Sequence, residues 1–335
     1  MEVSRVMEWS PLGASGLRAT PLGLGMAALG RPGYITLGHG ADLGPERDRA
    51  ALTRNAHGVL DAAAALGIGH LDVARSYGAA EEILAAWLDA RAVRPGDLTV
   101  ASKWGYTYTA GWAVDADVHE VKDHSADALT RQHAESRAVL GAHLALYQVH
   151  SATLESGILD DAAALDALAR LRDEDGLVIG LTTSGPRQAD VVDRAIAIER
   201  GGAPLFGTVQ TTWNVLEPSA GPALARAREA GMGVIIKEGV ANGRLTDRNA
   251  ALDPGVRERL MAGVPGATSL DQAALALVLA QPYVDVVLSG AATVDQLTSN
   301  ARATTLRATA DPAACDGLAE QPAAYWERRA DLVWN

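Results

Sequence analysis

Eight short segments of apolar and β-branched residues recur along the chain, and they limit its possible folds more than any other feature. Most are apolar at consecutive rather than alternate positions, which is typical of strands covered on both faces. The segments lie at residues 20–26, 70–74, 99–103, 144–150, 178–184, 208–213, 233–238 and 284–290. We therefore predict eight buried strands.

The stretches between these segments are rich in Ala and Leu and carry apolar stripes with helical spacing, as in residues 79–91 and 160–175. Alternation of strand and helix through a whole chain predicts parallel βαβ units, and eight such units predict a closed barrel. The alternative is an open doubly wound sheet, but the nucleotide fingerprint G-x-G-x-x-G is absent. The predicted fold is therefore an α/β protein with a single (β/α)8 TIM-barrel domain over residues 1–335.

Three long stretches with little periodicity, residues 27–49, 104–124 and 239–268, each directly follow a predicted strand. In a barrel of this kind, the loops at the carboxyl ends of the strands form the mouth and build the active site. These three loops are therefore expected to wall a substrate site.

The formal net charge of −12 argues against a general nucleic-acid or anionic-membrane binder, because contacts with phosphates need clustered Lys and Arg. No apolar run reaches the roughly 18 residues of a membrane span. The single cysteine, Cys315, cannot form an internal disulfide, which fits a reducing compartment. We expect a cytoplasmic protein with a small-molecule partner, without nucleic-acid or membrane partners.

Four functional side chains lie at or just beyond the ends of three consecutive predicted strands. Asp72 lies in the second strand with Tyr77 five residues later, Lys103 ends the third strand, and His150 ends the fourth. Each also has a structural explanation. Asp72 can cap a helix, Lys103 can neutralise an acid, Tyr77 can pack in a loop, and His150 can be a hydrogen-bonded core residue. Burying all four together costs desolvation energy that a purely structural barrel avoids, so we interpret them as a site.

Several motifs together resemble the aldo-keto reductase family. The segments DVARSYG, ASK and LYQVH match the Asp, Tyr, Lys and His tetrad of that family in order and spacing. Residues 12–17 and 22–25 look like the short β-hairpin and first strand that open its barrel. The resemblance implies an N-terminal hairpin at about residues 9–19, and we place a C-terminal tail at about residues 304–335.

The resemblance also implies a nicotinamide cofactor, NADP(H) by the family default with NAD(H) as the alternative. The residues that it places around the cofactor are Gly25, Met26, Asp72, Thr182, Thr183, Gln210, Trp213, Lys237, Glu238, Gly290, Ala292, Thr293, Gln296 and Asn300.

The chain departs from the family pattern at several of these positions. Thr183 replaces an amide that helps to hold the nicotinamide, and Trp213 replaces the stacking tyrosine. Residues 237–239 (KEG) stand where relatives often have an aromatic residue, a serine and a proline; these charges either bind phosphate or substrate or pair with each other. Ala291 and Ala292 stand where NADP-using relatives place a cation, so the preference for NADPH should be weaker than usual.

The implied activity is reduction of an aldehyde, ketone or sugar-like carbonyl to an alcohol by hydride transfer. Tyr77 is the expected general acid, and the Lys103 ammonium is expected to lower its pKa. Asp72 would keep Lys103 charged, and His150 would orient the carbonyl. No metal is expected. The alternatives are a lyase or isomerase that forms a Schiff base on Lys103 and a non-catalytic, cofactor-binding regulatory subunit.

Aromatic residues are concentrated in the loop 104–124 and in the C-terminal tail. Trp104, Tyr106 and Trp112 are expected either to form a substrate wall or to fold the loop onto the barrel rim. The tail segment 325–334 is expected to close the other side of the site or to pack on the barrel.

Overall fold

The computed structural model describes residues 7–335, so residues 1–6 of the predicted domain lie outside the described residues. Eight parallel strands form a closed barrel. Its strands are β1 (Leu22–Gly25), β2 (His70–Asp72), β3 (Thr99–Trp104), β4 (Leu144–Ala152), β5 (Val178–Thr183), β6 (Thr208–Thr212), β7 (Gly233–Lys237) and β8 (Val286–Ser289). Each lies within or overlaps one predicted segment, which confirms the predicted TIM barrel.

Each barrel strand pairs with the next strand in the chain, and β8 pairs with β1 to close the ring. The register sets Gly25 opposite Asp72, and Asp72 opposite Ala101. On the far side of the barrel, Thr212 lies opposite Lys237. Because all eight strands are parallel, their carboxyl ends meet at one mouth.

Helices surround the barrel, most of them between successive strands and the last three after β8. They are α1 (His39–Leu43), α2 (Arg49–Leu66), α3 (Ala80–Ala90), α4 (Ala126–Leu140), α5 (Ala162–Asp175), α6 (Gln188–Ile196), α7 (Gly221–Glu229), α8 (Pro254–Gly263), α9 (Leu270–Leu279), α10 (Val294–Ala301), α11 (Ala303–Leu306) and α12 (Pro322–Ala330). Asp48, Ser125 and Asp161 cap α2, α4 and α5 by accepting a hydrogen bond from a backbone N–H of the first turn. In residues 7–335, no helix is long and apolar enough to span a membrane.

The predicted N-terminal hairpin is present, with strands Ser10–Pro11 and Arg18–Ala19 paired antiparallel. It covers the end of the barrel opposite the mouth. Leu12, between the two strands, is fully buried in a small apolar cluster inside the barrel. Gly13 has φ +56°, and a β-carbon there would overlap the backbone of Gly233, so the turn presses directly against β7. The lower half of the barrel interior is therefore sealed by apolar side chains.

The three long loops all lie at the mouth. Loop 27–49 contains α1, and loop 239–268 contains α8. Loop 104–124 folds into an antiparallel hairpin with strands Tyr106–Tyr108 and Glu120–Lys122. The predicted wall of loops is thus in the place that the barrel topology requires.

Leu12 should contribute strongly to stability because its side chain fills the bottom of the barrel. Replacing it (Leu12→Ala) leaves a cavity that the rigid strands cannot close, and we expect a loss of about 2–5 kcal/mol. Urea unfolding followed by circular dichroism measures this loss. The exposed Val118→Ala is the control, with an expected change within about 0.5 kcal/mol; equal losses for the two variants would contradict the sealing role.

Candidate active site

A buried carboxylate forms the floor of the mouth. Asp72, 2 % exposed at the end of β2, accepts a hydrogen bond from the amine of Lys103 on β3. It also accepts from Nε2 of Gln148 on β4 at 3.2 Å and from Nε2 of Gln210 on β6 at 2.9 Å. Lys103, itself 1 % exposed, donates to the carbonyl of Val73 at 2.9 Å as well. Both buried charges are therefore paired and hydrogen-bonded.

Tyr77 is held over this floor by a close contact between two loops. A β-carbon at Gly30 would overlap the carbonyl oxygen of Tyr77, and the Gly30 carbonyl accepts from the backbone N–H of Ala79 at 2.8 Å. The Lys103 amine lies 4.7 Å from the centre of the Tyr77 ring. The Tyr77 hydroxyl lies 3.4 Å from Nε2 of His150. The fold thus brings together all four side chains of the predicted tetrad.

Burial, followed by the charge of Asp72, raises the pKa of Tyr77 well above its usual value of 10.0. Sequence reasoning predicted the opposite direction, through the neighbouring Lys103. The amine of Lys103 instead faces the phenol ring while it is bound to Asp72 and Val73. Desolvation and the charge of Asp72 outweigh the charge of Arg31, which lowers the pKa, so the Tyr77 phenol keeps its proton at neutral pH.

The pKa of His150 is shifted in the opposite direction. Burial, followed by the charges of Lys103 and Arg31, lowers its pKa well below 6.5, so its imidazole is neutral at neutral pH. Its ring packs edge-on against Tyr106, with the ring centres 5.0 Å apart. The Ser76 hydroxyl lies 3.5 Å from Nδ1. Nε2 is left facing the Tyr77 hydroxyl and the cavity.

Sequence reasoning missed Arg31, which lies in a loop without periodicity. Its guanidinium is buried against the rings of Tyr34, Tyr77 and Trp334, at 5.3, 5.2 and 4.6 Å from their centres. It donates to Glu120 at 2.8 Å. These contacts join segments that are far apart in the chain, so no local sequence pattern predicts them.

A second charged cluster lies in the wall at the end of β7. Lys237 donates to the hydroxyl of Thr212 at 2.8 Å, and that hydroxyl donates to Glu238 at 2.9 Å. Arg329, on α12, donates to Glu238 at 2.6 and 3.0 Å. Burial raises the pKa of Glu238, but Arg329 and Lys237 more than offset this and hold it at about 2. Glu238 thus pairs mainly with Arg329, whereas Lys237 lies 3.9 Å from it, so pairing of these two charges with each other is weak and binding of phosphate or substrate stays a prediction.

These groups line a cavity of about 590 Å³, a volume within the range of small-molecule sites. The predicted site residues that line it are Gly25, Asp72, Tyr77, Tyr106, His150, Thr182, Gln210, Lys237, Glu238, Gly290, Ala292, Gln296 and Asn300. Among residues 7–335, no group of three or more His, Cys, Asp or Glu is placed to hold a metal ion.

Other predicted site residues do not line the cavity, because side chains on a strand alternate between its two faces. Lys103 points toward the barrel interior, just beneath the cavity, so Trp104 points outward and is fully buried against His124. Thr182 lines the cavity, whereas Thr183 faces away and bonds the hydroxyl of Thr211 at 3.1 Å.

Four further predicted site residues, Trp213, Trp112, Met26 and Thr293, also do not line the cavity. Trp213 follows the inward Thr212 and is buried outside the cavity, so it cannot stack on a ligand there. Trp112 donates to the carbonyl of Arg47 and folds its loop onto the rim. Met26 is fully buried below the surface, and Thr293 caps α10.

The cavity extends to the junction of β8 and α10. There the backbone N–H of Ala292 donates to Gln296 at 2.8 Å, and Gln296 donates to Asp42 at 2.8 Å. Arg248 also forms an ion pair with Asp42, and this pair neutralises the charge of Arg248. A β-carbon at Gly290 would meet no atom within 4 Å, so the backbone there is open to a ligand.

The C-terminal tail both packs on the barrel and reaches the mouth. The hydroxyl of the buried Tyr325 accepts from Asn214 at 2.9 Å. Trp334 lines the cavity and stacks on His119, with the ring centres 3.9 Å apart. The amide of Asn335 donates to the carbonyl of Thr36 at 2.9 Å. The tail therefore packs on the barrel, and Trp334 lines the mouth beside loop 104–124 rather than on the side opposite it.

Comparison with known proteins finds chains of similar sequence and similar fold. The uncharacterized oxidoreductase YqkF of Bacillus subtilis is 26% identical over 326 residues, which cover 88% of this chain and 90% of that protein. The aldo-keto reductase AKR11C1 from Bacillus halodurans, in its holo form, superposes with a TM-score of 0.69 at 22% identity, covering 94% of this chain and 97% of its own. PA4992 of Pseudomonas aeruginosa superposes with a TM-score of 0.63 at 24% identity, covering 89% of this chain and 96% of its own.

The family model "Aldo/keto reductase family" matches residues 21–318. Aldo-keto reductases use nicotinamide cofactors, so the match supports nicotinamide-dependent oxidoreduction in general. The chain belongs to the aldo/keto reductase family.

Proposed function

We propose that the chain reduces an aldehyde, ketone or sugar-like carbonyl to an alcohol with NADPH or NADH. The observation that carries this proposal is the 3.4 Å separation of the Tyr77 hydroxyl and His150 Nε2 at the inner end of the cavity. A carbonyl oxygen bound there can contact both groups at once. Tyr106, Tyr34 and Trp334 supply aromatic walls for the rest of the substrate.

The polar groups that line the cavity suit a nicotinamide dinucleotide. Hydroxyls of Ser151 and Thr182 and the amide of Gln210 line the inner end, and the open backbone at Gly290 lies in the outer part. The bound cofactor would supply the hydride. In this proposal the inner polar groups hold the nicotinamide, and the segment from Ser289 to Asn300 holds the adenosine.

Tyr77 is the proton donor in the proposed reaction. As the carbonyl carbon gains hydride, negative charge develops on its oxygen, and the Tyr77 hydroxyl transfers its proton there to complete the alcohol. The neutral His150 holds the same oxygen and sets its angle. The Lys103 ammonium, 4.7 Å from the centre of the Tyr77 ring, favours the phenolate left behind, against the burial and the charge of Asp72 that oppose it.

The first alternative, a Schiff base on Lys103, is disfavoured by the surroundings of that amine. It is buried, bound to Asp72 and the Val73 carbonyl, and does not line the cavity. The second alternative, a regulatory subunit, leaves the buried charges at the inner end without a use. The cytoplasmic location stays a prediction.

Replacing the proposed acid separates the catalytic role from mere binding. Tyr77→Phe should slow carbonyl reduction by at least about a hundredfold, because the variant has no proton to donate. Its affinity for the cofactor, measured by quenching of tryptophan fluorescence, should change by less than about twofold. Tyr108→Phe, whose ring lies outside the cavity lining, is the matched control. Full activity of Tyr77→Phe across a panel of aldehydes, ketones and sugars would disprove the mechanism.

The rate of reduction should not depend on the titration of Tyr77 or His150 near neutral pH. The pKa of Tyr77 is raised well above 10.0 and that of His150 is lowered well below 6.5, so neither changes charge between about pH 7 and 9. Single-turnover rates at saturating cofactor and substrate measure this. A loss of rate as pH rises through about 6.5 would mean that a protonated His150 is required, contrary to the proposal.

A cation at Gly290 should increase the preference for NADPH. The φ of Gly290 lies outside the left-handed region and a β-carbon is accommodated, so Gly290→Lys introduces no strain. A charge-assisted bond to the 2′-phosphate is worth about 1.5–3 kcal/mol, so the affinity for NADPH relative to NADH should rise about tenfold or more. Gly290→Met, of similar length but uncharged, should leave the ratio unchanged. Equal ratios in both variants would place the 2′-phosphate elsewhere.

A further inference from the structure

Lys237 is a cavity-lining cation that the proposed mechanism does not use. The chain contains only three lysines, Lys103, Lys122 and Lys237, among 29 basic residues. Lys103 belongs to the floor, and Lys122 on the rim hairpin donates to the carbonyl of Ser151 at 2.9 Å. Lys237 ends β7 and its side chain lines the cavity. A compact amine that can lose its proton is therefore present where arginine would carry a permanent charge.

The charge of Lys237 is not cancelled by its neighbours. Its nearest carboxylate, Glu238, lies at 3.9 Å. The oxygens of Glu238 already accept from Arg329 and from the Thr212 hydroxyl. Lys237, Glu238 and Arg329 thus combine two cations with one carboxylate, a net charge of +1 in a buried wall. Among the other groups that act on Lys237, Lys103 and Asp72 form a neutral pair.

This charge lies close to the reacting centre. Lys237 and His150 line the same cavity, and the Lys237 ammonium contributes to the lowered pKa of His150. A ring that passes hydride to a carbonyl bound at Tyr77 and His150 has to lie within a few ångströms of that carbonyl. The ring therefore sits in the field of Lys237.

Resting on the proposed function, we propose that Lys237 selects the redox state of the cofactor: its ammonium repels the cationic oxidised nicotinamide and tolerates the neutral reduced form. The site then binds reduced cofactor more tightly and favours carbonyl reduction over alcohol oxidation. Two like unit charges about 10 Å apart, at an effective dielectric constant of about 20, repel enough to change binding by a factor of about ten.

Selection by Lys237 depends on pH. Burial lowers the pKa of Lys237 to about 8, Arg329 and Lys103 act in the same direction, and Glu238 opposes them. Preference for the reduced form is therefore complete well below pH 8, where the amine stays protonated even beside the oxidised ring, and is lost as pH rises to about 8, because the neutral amine does not repel a cation. By linkage, binding of oxidised cofactor lowers the pKa of Lys237 further and releases a proton.

The test compares dissociation constants of the oxidised and reduced forms of both NADP and NAD, for the unaltered protein and Lys237→Met, at about pH 6.5 and 9.5. The ratio of oxidised to reduced constants should be about ten times larger in the unaltered protein at the lower pH, and the difference should vanish at the higher pH. Lys237→Arg should keep the large ratio at both pH values, which separates charge from packing. Lys122→Met, outside the cavity lining, is the matched control and should behave as the unaltered protein.

Calorimetry supplies a second readout. Titration with oxidised cofactor near pH 8, in two buffers of different ionisation enthalpy, should show proton release that Lys237→Met abolishes. The same ratio in the unaltered protein and Lys237→Met, or no proton release, would overturn this inference and leave the proposed function intact. Failure of every cofactor form to bind the unaltered protein would overturn both.

Discussion

The ion pair between Asp72 and Lys103 is the interaction on which the mouth of the barrel depends. One carboxylate on β2 accepts hydrogen bonds from side chains on β3, β4 and β6, and so ties together strands around half of the barrel. Burying two charges is costly unless each is paired and hydrogen-bonded, and removing one partner of such a pair commonly costs about 3–5 kcal/mol. The pair therefore fixes the relative positions of these strand ends, and the Tyr77 and His150 geometry is built on top of it.

Most of the fold was predictable because it rests on patterns that are local in the chain. The strand Val178–Thr183 could be predicted from its run of apolar residues, since both of its faces are buried. The hairpin around Leu12 could be predicted from the resemblance of its sequence to the family. The tetrad was predictable for a related reason. Parallel strands carry their carboxyl ends to one mouth, so residues at the ends of successive strands, such as Lys103 and His150, had to meet there.

The incorrect or missing predictions have different physical causes. Trp104, Thr183 and Trp213 follow inward-facing residues by one position, and the twofold alternation of a strand places them on the opposite face. The network of Glu238 with Arg329 was not available, because it joins residues 91 positions apart. The pKa of Tyr77 is raised rather than lowered, because burial and the charge of Asp72 dominate over the cation that lowers it, Arg31.

Arg31 links three segments of the chain at the mouth of the barrel. Its guanidinium contacts Tyr77 of the loop after β2, Glu120 of the rim hairpin and Trp334 of the tail. Moving the hairpin away by itself would leave a buried cation without its carboxylate, whereas moving it together with the loop that carries Arg31 would not. The free energies of displacing these segments are thus coupled rather than additive. One buried guanidinium thus makes the positions of three separate stretches of chain depend on one another.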